Sequence, residues 1–134
     1  MIRLLLVEDD SDRHAFFTAH LPKEVRVVWA RSGGAALAIL KKDEADTYHG
    51  VLLDYDLYKQ GVTADGAFTN GGVVAKAVAQ KLDQGVPVLV HSMNTPGAMK
   101  MVTILAAAGF DVTRVPFNEL TPEKLRSWVS TLES

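Results

Sequence analysis

Cysteine is absent from the 134 residues, which rules out disulfides and thiolate metal sites and leaves the redox compartment unmarked. A dominant charge is absent too. Fourteen basic and 16 acidic residues leave a net charge of −2, which lacks the broad positive footprint of a nucleic-acid binder. No apolar run approaches the roughly 20 residues of a membrane span. Met1-Ile2-Arg3-Leu4 enters a strand-like pattern with neither a signal-peptide n-region nor a cleavage site. Repeats, low-complexity tracts and internal linkers are likewise missing. The expectation is one cytoplasmic domain over residues 1–134, with one core, no output domain, no membrane and no direct nucleic-acid partner.

What is present is a regular alternation. Short apolar, β-branched runs at residues 2–7, 25–30, 51–54, 88–92 and 112–115 read as strands. Between them lie helical patterns. The first covers residues 11–21, capped by Asp10 or Ser11, with Ala15, Phe16, Ala19 and His20 near one face. The second covers residues 35–42, with Ala36, Leu37 and Leu40 inward. The third opens at Asn70-Gly71-Gly72 and carries Val74, Ala77, Val78 and Leu82 as a stripe. The fourth covers residues 97–108, with Thr95-Pro96 as cap and first-turn proline. The last starts at Thr121-Pro122-Glu123, and its Leu125, Trp128, Val129 and Leu132 fall on one face. Five strands alternating with five helices predict an α/β fold. It is a doubly wound, flavodoxin-like parallel sheet of order 2-1-3-4-5 with helices on both faces. Residues 57–70, with Gly61, Thr63, Gly66 and Thr69, break the pattern. A loop of that length in a compact domain is either functional or a tolerated insertion.

Two strands end in acid: the first in Glu8-Asp9-Asp10, the third in Asp54, with Asp56 two residues on. In this topology the ligand crevice lies at the carboxyl ends of strands one and three, so Glu8, Asp9 and Asp54 converge. Like charges this close need a cation. Carboxylates without cysteine suit Mg²⁺, with Mn²⁺ or Ca²⁺ as alternatives, and four scattered histidines do not indicate zinc. The bland alternative is that Asp54 and Asp56 only solvate a loop.

With those residues in place, the chain resembles the receiver domain of bacterial response regulators. The resemblance is carried by Leu6-Val7-Glu8-Asp9-Asp10, Leu52-Leu53-Asp54, Pro87-Val88-Leu89-Val90-His91-Ser92 and Pro116-Phe117. It implies that Glu8 and Asp9 bind Mg²⁺ and that Asp54 accepts a phosphoryl group from a histidine kinase or phosphotransfer protein. It also implies that Asp56 lends a main-chain carbonyl to the metal and that Ser92 follows the phosphoryl group. A downstream protein partner and a homodimer stay open.

Two features depart from that pattern. The lysine that receivers carry before the proline after strand five is replaced by Val115, and the loop after Asp54 is long. Arg114 is expected to turn to the other face, and Lys59 or Lys100 would have to fold inward. A narrower resemblance accommodates the departures. Asp54-Tyr55-Asp56-Leu57, Thr69-Asn70-Gly71 and His91-Ser92-Met93-Asn94 followed by Gly97-Ala98-Met99-Lys100-Met101 are similar to the receiver-like family predicted to process cyclic phosphates. That resemblance implies a hydrolytic site in which His91 is a general acid or base and Ser92 and Asn94 hold phosphate oxygens. Outside the motifs, Met99 and Met101 are expected in the core and Trp29 and Trp128 in packing. His14, His20 and His49 are assigned no role.

Overall fold

The computed structural model describes residues 1–58 and 69–133. Strands β1 (Arg3–Val7), β2 (Arg26–Ala30), β3 (Gly50–Leu53), β4 (Val88–Val90) and β5 (Val112–Arg114) alternate with five helices. These are α1 (Ser11–His20), α2 (Gly33–Lys42), α3 (Gly71–Lys81), α4 (Thr95–Ala107) and α5 (Pro122–Ser130). A 3₁₀ turn at Phe117–Glu119 leads into α5. Every strand pair is parallel and the order is β2-β1-β3-β4-β5, the expected flavodoxin-like arrangement. No described helix is long and apolar enough to cross a membrane.

The inner strands β1, β3 and β4 read as near-continuous apolar runs because both sheet faces are covered there. Leu5, Val7, Val51, Leu53, Val88 and Val90 face one way, against Ala36 and Leu40 of α2, Val74 and Val78 of α3, and Ala98, Met101 and Leu105 of α4. Leu4, Leu6, Leu52 and Leu89 face the other way, against Phe17 of α1 and Leu125, Trp128 and Val129 of α5. Full burial of each such side chain stabilises the fold by roughly 1.5–3 kcal/mol. Each helix starts on a side chain that accepts from its first-turn amides: Asp10, Ser32, Asn70, Asn94 and Thr121.

Three local expectations change. In α1 the buried residue is Phe17, while Ala15 and Ala19 are exposed. The sheet-facing stripe is Arg13, Phe16, Phe17 and His20, an i, i+3, i+4, i+7 set out of phase with the expected one. Helix α4 begins two residues earlier than expected, and its cap is Asn94 rather than Thr95. Met101 lies in the core beside Ala98 and Leu105, but Met99 points outward and is 48% exposed.

Candidate functional site

The register of the sheet builds the site. Val7, Leu53 and Val90 are aligned across β1, β3 and β4, with Ala30 and Arg114 continuing the row on β2 and β5. One residue further along, the row reads Arg31, Glu8, Asp54, His91, Val115. The ladder persists through it: the amides of Glu8, Asp54, His91 and Val115 donate to the carbonyls of Ala30, Val7, Leu53 and Val90. Two-residue alternation sends these side chains the same way as Leu6, Leu52 and Leu89, toward α1 and α5. Three ionisable groups therefore stand side by side at the carboxyl edge. Glu8 and His91 are 0% exposed and Asp54 is 1% exposed.

Their hydrogen bonds divide the labour. His91 Nε2 lies 2.8 Å from Glu8 Oε1, while Glu8 Oε2 accepts the Asp10 amide at 3.1 Å. Burial alone would raise the Glu8 carboxyl. The His91 bond, the Asp10 amide and the charge of Arg13 outweigh it and hold Glu8 below the usual range. An ionised Glu8 only accepts, so Nε2 carries the proton. His91 Nδ1 is left buried without a hydrogen-bond partner, between the rings of Phe17 and Phe117. Burial pushes Asp54 the other way, above the usual range, and the charge of Glu8 adds to it. His91, the Tyr55 amide on Oδ1 at 2.8 Å and Arg13 offset only part of that rise. The Trp29 indole donates to the Glu8 carbonyl at 2.7 Å and is itself covered by the His14 ring and the Arg31 guanidinium.

Above this floor is a cavity of about 190 Å³ walled by Asp9, Arg13, Asp54, Asp56, Tyr58, Ser92, Met93 and Asn94. The ladder runs on past Val90, so strand alternation parts His91 from Ser92: His91 turns beneath the cavity beside Glu8 and Ser92 lines its wall. Ser92 Oγ accepts the Asn94 amide at 3.1 Å. Asn94 links two elements: its Oδ1 caps α4 through the Gly97 amide, and its Nδ2 donates to both carboxylate oxygens of Asp56 at 3.3 Å. Helix α3 comes close enough to hold this loop only because Gly71 has no side chain. A Cβ there would collide with the Asp54 carbonyl oxygen and Tyr55 Cα.

Of the residues singled out in the sequence, Asp9, Asp54, Asp56, Ser92 and Asn94 meet in the cavity, and Glu8 and His91 meet beneath it. One ligand atom each from Glu8, Asp54 and His91 lies within 4.8 Å of the others. Two buried carboxylates, one already forced upward in pKa, are a donor set that a divalent cation fits.

The cation opposite Asp54 is Arg13, which belongs to none of the sequence motifs. Arg13 Nη1 is 3.2 Å from Asp54 Oδ2 and 3.9 Å from Glu8 Oε1, and its guanidinium lies 5.3 Å from the centre of the Phe117 ring. Val115, at the lysine position, packs into the apolar layer beneath α1 and α5. Arg114 does turn away from the acids: its Nη2 donates to the Ser92 carbonyl at 3.2 Å and Thr95 Oγ1 at 3.4 Å, bracing the β4–α4 connection. Lys100 lines a larger groove of about 580 Å³ between α3 and α4, together with Lys76 and Met99. Lys59 and most of the 57–70 loop fall outside the described residues.

Solved structures share this architecture. A CheY-like response regulator receiver domain from Methanospirillum hungatei superposes with a TM-score of 0.72 at 17% identity, over 98% of this chain and 92% of that one. Chemotaxis protein CheY4 of Vibrio cholerae gives 0.69 at 18% identity over 99% of both chains. The receiver domain of a Pseudomonas aeruginosa sensor histidine kinase gives 0.68 at 17% identity, over 97% of this chain and 95% of that one. It is described with a magnesium ion coordinated in its active-site cleft. No curated protein matches the chain. The family model of the cyclic-phosphate processing receiver domain matches residues 3–107, from β1 to the end of α4, so it covers Glu8, Arg13, Asp54, Asp56 and the His91–Asn94 turn. The chain belongs to the cyclic-phosphate processing receiver domain family.

Proposed function

We propose that the chain hydrolyses a cyclic phosphate ester, assisted by a divalent cation, Mg²⁺ or Mn²⁺, held by Asp9 and Asp54 with Glu8 beneath them and the Asp56 carbonyl beside them. The observation that carries this reading is the Asp56–Asn94 pair. A metal-bound phosphoacceptor site asks only for the main chain of Asp56, yet here its carboxylate is oriented by two hydrogen bonds on the cavity wall. The cation, when bound, polarises the phosphate and neutralises the acids around it.

The remaining roles belong to side chains. Asp56, half-buried and held by Asn94, takes a proton from an attacking water. The water oxygen forms the new P–O bond, one ring P–O bond breaks, and the proton held by Asp56 passes to the departing oxygen, which becomes the hydroxyl of a phosphomonoester. Ser92 Oγ accepts from the Asn94 amide, which leaves its proton to donate to a phosphate oxygen. His91 acts from below, fixing the rotamer and ionisation of Glu8. A cavity of about 190 Å³ encloses the phosphate and its ring but not a whole nucleotide, since drug-sized ligands occupy roughly 300–1,000 Å³. Only the cyclic phosphate end of the substrate enters.

The test is turnover of a panel of cyclic nucleotides and RNA 2′,3′-cyclic phosphates with Mg²⁺ or Mn²⁺. The expected result is hydrolysis of at least one substrate, lost by about a hundredfold or more in Asp56→Asn and Asp54→Asn. Turnover indifferent to both substitutions overturns the mechanism.

A second reading has its own observation. Asp54 ends the central strand with Ser92 in the same cavity, as phosphoryl transfer to Asp54 from a histidine kinase or phosphotransfer protein would require. On that reading the chain is a cytoplasmic phosphorelay switch. Incubation with Mg²⁺ and a small phosphodonor separates the two: a stable mass gain lost in Asp54→Asn, without turnover of any cyclic phosphate, selects the switch.

A further inference from the structure

We infer that Arg13 does in this chain the work of the lysine missing at position 115, and that it alternates with the divalent cation on Asp54. With the cation absent, the guanidinium neutralises Asp54. With the cation bound, it is released to grip the substrate phosphate. The inference rests on the metal-assisted reading of the cavity and names the residue that holds the phosphate.

Placement is the first argument. Asp10 Oδ1 accepts the Arg13 amide at 3.1 Å, so the backbone of Arg13 is pinned in the first turn of α1, next to the end of β1. Arg13 heads the stripe that faces the sheet. Its guanidinium rests against Phe117, two residues past Val115. A cation from α1 thus occupies the flank that a side chain from the end of β5 would otherwise supply.

The count of acceptor atoms is the second argument. Asp54 Oδ1 is taken by the Tyr55 amide, Glu8 Oε2 by the Asp10 amide and Glu8 Oε1 by His91. Asp54 Oδ2 is held by Arg13. A metal ion entering at Asp54 competes for that oxygen, and two cations on one oxygen repel each other. Arg13 can yield without disturbing the core, because its side chain is 23% exposed. Once displaced it still lines the cavity, where its planar fork of N–H donors matches phosphate oxygens better than an ammonium would. The metal therefore binds first and frees the phosphate ligand, which makes the two binding events positively linked.

The experiment measures two affinities in the intact protein. Mn²⁺ binding is read by the electron paramagnetic resonance of the free ion. Inorganic phosphate binding is read by calorimetry with and without saturating Mg²⁺. Arg13→Ala is expected to bind Mn²⁺ about threefold tighter or more, and phosphate about tenfold more weakly in the presence of Mg²⁺. Arg13→Lys should fall between. Opposite signs in one variant are what a merely structural role cannot produce. If alanine prevents folding, Arg13→Gln keeps the length and should show the same two signs. Mn²⁺ binding equal in wild type and variant, or a change in only one affinity, overturns the role of Arg13 and leaves the metal site standing. No Asp54-dependent Mn²⁺ binding to wild type or variant overturns the metal reading, and this inference with it.

Discussion

The two ends of the sheet solve opposite problems. At the carboxyl edge, Glu8, Asp54 and His91 are buried in one row, Asp54 is forced above its ordinary pKa, and His91 Nδ1 has no partner. At the amino edge no described charged side chain is buried. The buried Tyr48 hydroxyl donates to Asp43, the Arg3 amide donates to His49 Nδ1, and the His49 amide returns to the Arg3 carbonyl. There Gly50 lets Trp128, Leu132 and Leu4 close over the start of β3. One end concentrates charge around the cavity, and the other supplies packing that makes this tolerable. The contrast teaches that stability and function should be separable by position along the same strand.

The sharpest break in that contrast is Gly50→Ala. A Cβ there would lie 2.9 Å from the Trp128 ring and 3.0 Å from Leu132 and Leu4, so the α5 layer must shift. The expected loss is about 1–3 kcal/mol in urea unfolding, with the Mn²⁺ affinity of the folded fraction unchanged. A loss of metal binding at unchanged stability would show that the ends are not separable.

Asp54→Asn should do the reverse, removing function while stabilising the fold by about 1 kcal/mol near neutral pH. The sign follows from the raised carboxyl. Folding favours the protonated form, so the contribution of Asp54 is complete below its ordinary value of 3.8 and is lost as pH rises through the higher folded value. Stability of the wild type without metal should therefore climb as pH falls from neutrality. It should then drop below the ordinary Glu8 value of 4.5, because the depressed Glu8 loses its contribution as pH falls through its folded pKa. Thermal melts across pH 3–8 check this; a climb that persists unchanged in Asp54→Asn would contradict it.

The smallest effect is expected from Tyr48→Phe, a loss of about 0.5 kcal/mol, with the Mn²⁺ affinity unchanged. Burial first, and the bond to Asp43 second, push this phenol above its ordinary 10.0. Its stabilisation is complete below that value and is lost as pH rises through the higher folded one. The wild type and variant should therefore converge only in strong alkali, as read by urea midpoints at increasing pH.

The fold was legible because each strand is an apolar run closed by a charge or a turn, and because each helix begins on a residue that can cap it. The acids were legible for the same reason: Glu8 and Asp54 interrupt the runs where the sheet must end. Arg13 was hidden by a phase error of one or two residues. The alanines at 15 and 19 suggested a face that would leave Arg13 outside. Phe17 sets the true face, and the large aromatic four residues after Arg13 was the available signal. Arg13 also acts on Asp54 from 41 residues away. Closeness to Val115 or to Asp54 in the sequence, and position on the fourth helix, point instead to Arg114, Lys59 and Lys100. Asn94 displaced Thr95 as cap because one amide side chain serves both the helix and Asp56, a coincidence of tertiary placement that local preference does not encode. Met99 shares composition with Met101 but not its side of the helix.

The bond between His91 and Glu8 has a mechanical consequence. Strands β1 and β4 are not neighbours; β3 runs between them, so their axes stand roughly 9–10 Å apart at two strand spacings. The side chains that meet at 2.8 Å therefore form a clasp across the tip of β3, where Asp54 emerges. Any breathing mode that fans the strand tips apart has to unfasten it. The spacing of the β1 and β4 tips on either side of Asp54 is thereby fixed by a side-chain bond as well as by the backbone ladder.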